Sequence, residues 1–297
     1  MLPARIAGAP ISWGVSEVPG WGHQLDRDRV LSEMRDLGLT ATEFGPPGFL
    51  PADPETMAKE LASFGLAAVG GFLVVVLHDP RHDPLAEVDS FLDGCVVAGA
   101  EVAVLAAGTG DHGYDSRPEL DETSWKTLLL NLDRIDQLAA RRGVLATIHP
   151  HIGTMVESAA EVNRVLTGCA IGLCVDTGHL LIGGTDPVVL TRDNVERVAH
   201  VHLKDVDAGL ARQVLDRSMT FTAAVGTGMF RPLGQGDVDI ASMVATLDAY
   251  GYPGWYVLEQ DVRLDGDPRG SGPAADVALS LDYLMRLDGA RRVSNEH

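Results

Sequence analysis

The chain has 297 residues, 45% of them hydrophobic and 22% charged, a balance that disfavours an intrinsically disordered protein. Its 42 acidic and 23 basic side chains leave a formal charge of −19, which argues against a protein held to nucleic acid by phosphate contacts. The three cysteines (Cys95, Cys169 and Cys174) have no paired spacing, the N-terminus lacks the apolar core of a signal peptide, and no apolar run approaches a bilayer span, so a cytoplasmic protein without membrane segments is expected.

In chain order, short apolar runs rich in Val, Ile and Leu alternate with stretches of helical spacing. Strands are predicted over residues 5–14, 41–45, 67–77, 102–107, 145–151, 171–176, 198–206 and 255–260. Helices are predicted over 28–37, 54–64, 85–98, 124–142, 159–166 and 240–250, with a last one over 274–287. Gly38, Gly65, Gly143, Gly168 and Gly251 follow apolar-periodic segments, where a left-handed residue ends a helix. Within 124–142, Trp125, Leu128, Leu132, Ile135 and Ala139 recur at spacings of three and four and form one apolar face. The strands are apolar almost throughout, as parallel strands covered on both faces are. Eight strands alternating with helices predict an α/β protein, a single-domain (β/α)8 TIM barrel over 1–297, with a doubly wound sheet as the structural alternative. The segment 208–236, after the seventh strand, is too long for an ordinary connection. It is predicted to be partly helical over 211–224, then irregular, and to form a lid or pocket wall over the barrel mouth.

A barrel gathers the polar residues at the C-terminal ends of its strands into one site. The first strand ends in Ser12-Trp13-Gly14 and the second carries Glu43. The fifth ends in His149-Pro150-His151, followed by Glu157, and the sixth in Asp176-Thr177-Gly178-His179. The seventh carries His200, His202, Lys204 and Asp205, and the eighth ends in Glu259-Gln260-Asp261. His149, Asp176, His202 and Glu259 thus fall at nearly matching depth on four consecutive strands. Imidazole and carboxylate donors suit a borderline dication such as Mn²⁺, Co²⁺ or Zn²⁺, although any one of these residues alone is explained as well by a hydrogen bond or an ion pair. Strand alternation puts His149 with His151, and His200 with His202 and Lys204, so only one of each set need touch an ion. His179 lies beyond its strand and is better placed for substrate than for ligation. Lys204 is expected to orient an oxygen as a charged group. Glu43 and Asp205 are equally explained by pairing with cations, and Trp13 by packing or by lining a pocket. The letters GxGxxG at 108–113 precede a polar stretch and predict a loop rather than a nicotinamide site.

Several segments together carry a resemblance: TIHPHIGTMVE (147–157), GLCVDTGHLLIGGTDP (172–187), AHVHLKDVD (199–207), FRPLGQGDVD (230–239) and YPGWYVLEQD (252–261). With IAGAPISWG (6–14) and TEFGPPGFLP (42–51), they resemble the inosose dehydratases of the xylose-isomerase-like barrel superfamily. The resemblance implies a site dependent on Mn²⁺ or Co²⁺, with Zn²⁺ as a further choice. It implies loss of water from a keto-inositol such as 2-keto-myo-inositol (scyllo-inosose), giving a trihydroxycyclohexane-1,2-dione. In the superfamily Glu, Asp, His and Glu from strands five to eight hold the metal; Asp176, His202 and Glu259 match three of them, and His149 stands at the fifth-strand glutamate position. His151 resembles a catalytic histidine and is implied as the base, with His179 or Lys204 assisting departure of the β-hydroxyl. Glu157 and Arg231 are implied to hold ring hydroxyls, and Trp13 and Glu43 complete the expected substrate contacts. A metal-dependent ketose isomerase or epimerase is the alternative, and a non-catalytic polyol-binding barrel the third reading. The expected partner is a small polyol ketone, with no nucleic acid and no membrane; a homo-oligomer is left open.

Overall fold

A computed structural model describes residues 5–295, so the first four and last two positions of the expected 1–297 span lie outside the described residues. Eight parallel strands are arranged in sequence around a barrel. They are β1 (Ile6–Gly8), β2 (Ala41–Thr42), β3 (Ala67–Ala68 continued by Gly70–Val75), β4 (Val102–Ala107), β5 (Leu145–Ile148), β6 (Gly172–Asp176), β7 (Val198–Leu203) and β8 (Tyr256–Leu258). β8 pairs with both β7 and β1. Closure occurs at β3, whose first part pairs with β2 and whose second part pairs with β4. Val69 sits at the changeover: its N–H donates to Thr42 O, and its carbonyl accepts from Glu101 and Val102. The barrel expectation holds, and the doubly wound alternative is set aside.

The next residue, Gly70, shows why the changeover is tight. A Cβ built there would lie 2.3 Å from the Val102 carbonyl oxygen, a backbone atom that cannot swing away. Gly70→Ala is therefore expected to destabilise the barrel by about 3 kcal/mol, read as a shift of the urea midpoint at unchanged slope.

The helices pack outside. They include α1 (Arg27–Asp36), α2 (Pro54–Ser63), α3 (Leu85–Ala98), α4 (Glu122–Arg142), α5 (Ala159–Gly168) and the shorter α6 (Thr177–Ile182) and α7 (Pro187–Asp193). Asp26, Asp53 and Asp121 cap the first, second and fourth through their side chains, and Ser158 with Glu161 forms a capping box on α5. Gly99, Gly143 and Gly251 end helices in the left-handed conformation. Gly168 is a correction: it lies inside α5, where a Cβ would meet the Leu129 side chain at 2.6 Å, so it permits close packing rather than a turn. β4 is buried at every position, as strands covered on both faces require. No described helix is long and apolar enough to cross a membrane.

Several strands are shorter than their apolar runs. The first ends at Gly8, because Pro10–Trp13 forms a 3₁₀ turn closed by left-handed Gly14. The fifth ends at Ile148, although His149 still donates its N–H to Leu105 O. The seventh breaks at Lys204, and Asp205–Val206 then pairs antiparallel with Phe230–Arg231. The insertion holds two short helices, α8 (Ala208–Leu215) and α9 (Phe221–Gly226), instead of one, separated by a turn in which Arg217 is left-handed.

Asp205 ties this insertion down. Its Oδ1 accepts from Val206 and Val238, and its Oδ2 from Gly234 and Gly236. Replacing it with Ala orphans four N–H groups, those of Val206 and Val238 buried. Asp205→Ala is expected to cost about 3 kcal/mol and to raise protease sensitivity within 208–238 before the barrel unfolds, a difference that limited proteolysis resolves.

Candidate metal centre and active site

The C-terminal strand ends build the site. β6 ends at Asp176, whose Oδ1 accepts the His179 N–H at 2.8 Å and so caps the short helix α6 (Thr177–Ile182). That cap points Oδ2 inward, 3.3 Å from His149 Nε2 and 3.6 Å from His202 Nδ1. Glu259, just past β8, brings Oε2 to 3.1 Å from His202 Nδ1. One ligand atom from each of His149, Asp176, His202 and Glu259 therefore lies within 4.8 Å of the others. This is the ligand set expected from four consecutive strand ends.

The electrostatics favour a cation. Asp176, Glu259 and Asp261 crowd around a single buried lysine, Lys204. Lys204 Nζ lies 2.7 Å from Asp261 Oδ1, 3.0 Å from Glu259 Oε2 and 3.4 Å from Asp176 Oδ2. Burial opposes its charge, but these carboxylates outweigh burial and hold its pKa well above the usual lysine value. Gly178 permits this approach, since a Cβ there would meet Lys204 Cβ at 2.7 Å. Burial pushes the Asp261 carboxyl up to about 6, with Lys204 opposing and Glu259 adding. His202 Nδ1 has no hydrogen-bond partner, and its lone pair faces two carboxylate oxygens. A proton or a dication among these atoms relieves that repulsion. The donors also match a divalent ion of the Mn²⁺–Zn²⁺ range, so the residues fit a metal.

A cavity of about 210 Å³ opens beside this cluster. Its polar floor includes His149, His151, His202, Lys204, Glu259 and Asp261, and Phe72, Tyr114 and Phe221 stand among its walls. Nδ1 of His151 lies 2.7 Å from Ile152 O; an N–H there leaves Nε2 as the lone-pair nitrogen. The insertion contributes Phe221, which packs edge-on to His151 at 6.1 Å, so it forms part of the pocket wall.

Four expected residues stand elsewhere than predicted. His179 is not on the cavity wall; it stacks behind His151 at 3.8 Å and lies 3.1 Å from Lys204 Nζ through Nε2. Trp13 is fully buried, its indole N–H donating to Glu33, because the 3₁₀ turn swings it out of the barrel mouth. Trp21 lines the cavity instead. Glu157 turns away to Arg117 and the Gly153 N–H, in a neighbouring cleft. Arg231 is exposed and pairs with Asp207, since its short antiparallel strand alternates Phe230 inward and Arg231 outward. Glu43 does line the cavity, with Oε1 engaged by His200 and His202. The sequence reading assigned no role to Asp261, although alternation from Glu259 places it on the same side.

The profile of a family described as "Xylose isomerase-like TIM barrel" matches residues 25–286. The chain belongs to the xylose isomerase-like TIM barrel family. This family member is 32% identical over 298 residues to the inosose dehydratase of Geobacillus kaustophilus strain HTA426, covering 96% of the chain and 95% of that protein. It is 31% identical over 301 residues to the rhizopine catabolism protein MocC of Rhizobium meliloti, covering 98% and 90%. Among solved structures, the IOLI protein with a bound zinc atom superposes with a TM-score of 0.67 at 13% identity, covering 95% of the chain and 97% of that chain, a likeness of fold. The family member is an enzyme related to the inosose dehydratases, which are lyases.

Proposed function

We propose that the enzyme removes water from a keto-inositol, 2-keto-myo-inositol (scyllo-inosose), to give a trihydroxycyclohexane-1,2-dione, with Mn²⁺ or Co²⁺ as its ion and Zn²⁺ as a further choice. The supporting observation is an imidazole on the cavity wall, His151, beside the convergent set His149, Asp176, His202 and Glu259. The dication, when bound, supplies Lewis acidity toward the ketone and its neighbouring hydroxyl.

The chain's own residues do the rest. His151 takes the proton α to the ketone on Nε2; burial, reinforced by His149 and Lys204, holds its pKa well below the usual histidine value, so it is neutral near pH 7. The electron pair of that C–H bond first passes to the ketone as an enolate, and in a second step the enolate's electrons form the new C=C bond as the β C–O bond breaks. Lys204 donates to the departing oxygen, which leaves as water, and His151 later returns its proton to the lysine through solvent. The enol then tautomerises to the dione. Phe221 and Tyr114 keep bulk water from the ring.

The test is to incubate the ion-loaded enzyme with scyllo-inosose and follow the ultraviolet absorbance of the conjugated enol-dione. Absence of signal with every inosose, alongside turnover of ketoses, would replace this reading with an isomerase or epimerase.

A further inference from the structure

We infer that Glu43, anchored by His200, is a positioning residue that holds His202 with its Nδ1 lone pair toward the metal site. The inference rests on the metal centre and is independent of the substrate's identity. Glu43 follows β2, across the barrel from β7, and its backbone N–H is fixed on Gly8 O at 3.0 Å. Its carboxylate is buried, and the ion pairs it makes among the described residues are with two histidines. Both are held by one oxygen: Oε1 lies 2.8 Å from His200 Nε2 and 3.0 Å from His202 Nε2.

An anionic oxygen accepts and cannot donate, so both rings turn an Nε2–H to it, and each ring in its neutral form leaves Nδ1 as the lone-pair nitrogen. The two bare nitrogens then differ in surroundings. Nδ1 of His202 faces Glu259 Oε2 and Asp176 Oδ2, in the ligand set. Nδ1 of His200 is buried without a partner and belongs to no set with Asp176 or Glu259. His200 and His202 share a strand side, with ring centroids 5.1 Å apart and planes at 79°. His200 therefore acts as a second donor that fixes the carboxylate, and the carboxylate fixes the tautomer and tilt of His202 while raising its basicity as a ligand.

The experiment is metal binding, measured apart from turnover. Mn²⁺ affinity by competition with a chromophoric chelator is expected to fall about 10- to 100-fold in Glu43→Ala. The loss is expected to be smaller in Glu43→Gln, whose amide oxygen still accepts both N–H groups. His200→Phe is expected to weaken Mn²⁺ binding by about tenfold without touching the ion. In the Zn²⁺-loaded parent protein, nitrogen NMR is expected to show His202 protonated at Nε2. Unchanged Mn²⁺ affinity in Glu43→Ala with a raised KM would make Glu43 a substrate contact and overturn the inference. Two equivalents of Mn²⁺, one of them lost in Glu43→Ala, would overturn it by making Glu43 a direct ligand. Should Glu43→Ala not fold, Glu43→Gln and the parent tautomer decide, and an Nδ1-protonated His202 overturns the proposal.

Discussion

Dialysis against a chelator is expected to abolish dehydration of scyllo-inosose, and added Mn²⁺ or Co²⁺ to restore it. Asp176→Asn is expected to reproduce most of the loss, lowering kcat/KM by about three orders of magnitude even with excess ion, the equivalent of about 4 kcal/mol. The size follows from position. Oδ2 of Asp176 is the atom that His149, His202 and Lys204 all approach, and Asn offers it no charge. Oδ1 caps α6, a role an amide oxygen can keep, so the variant is expected to stay folded. Metal content, thermal melting and turnover measured on the same sample separate the effects. Full turnover by ion-free protein would remove the metal centre from the mechanism.

His151→Ala is expected to lower the rate of α-proton exchange into deuterated solvent about 10²- to 10⁴-fold, the usual worth of a positioned base. Dehydration should fall with it, because the proton must leave before or with the hydroxyl. Lys204→Met should behave differently: exchange persists while water release falls, since the lysine acts on the departing oxygen. That variant also leaves Asp176, Glu259 and Asp261 without their buried cation, and it is expected to lose about 3 kcal/mol of stability. Exchange at the parent rate in His151→Ala would transfer the role of base to another group on the cavity wall.

The candidate site was legible where function sits on strands. His149, Asp176, His202 and Glu259 could be aligned because each lies within one residue of the end of a barrel strand, and parallel strands in register bring their ends to one level. Alternation also put His151 and Lys204 on the cavity side. Legibility failed where side chains sit on turns. Trp13 lies on a 3₁₀ turn, Glu157 on a loop held by Arg117, and Arg231 on a two-residue ribbon, and none of these carries a periodicity that fixes direction.

By itself, the order of apolar runs, helix caps and turn glycines determined an eight-stranded barrel and the residue types at its mouth, because these follow from backbone periodicity and local hydrogen bonding. Only the tertiary structure decided which atoms meet. The sharing of one Glu43 oxygen by two histidines, the stacking of His179 behind His151 and the binding of Lys204 by three carboxylates join residues on different elements. Such meetings depend on barrel closure and side-chain packing, which act between segments far apart in the chain and leave no local pattern to read.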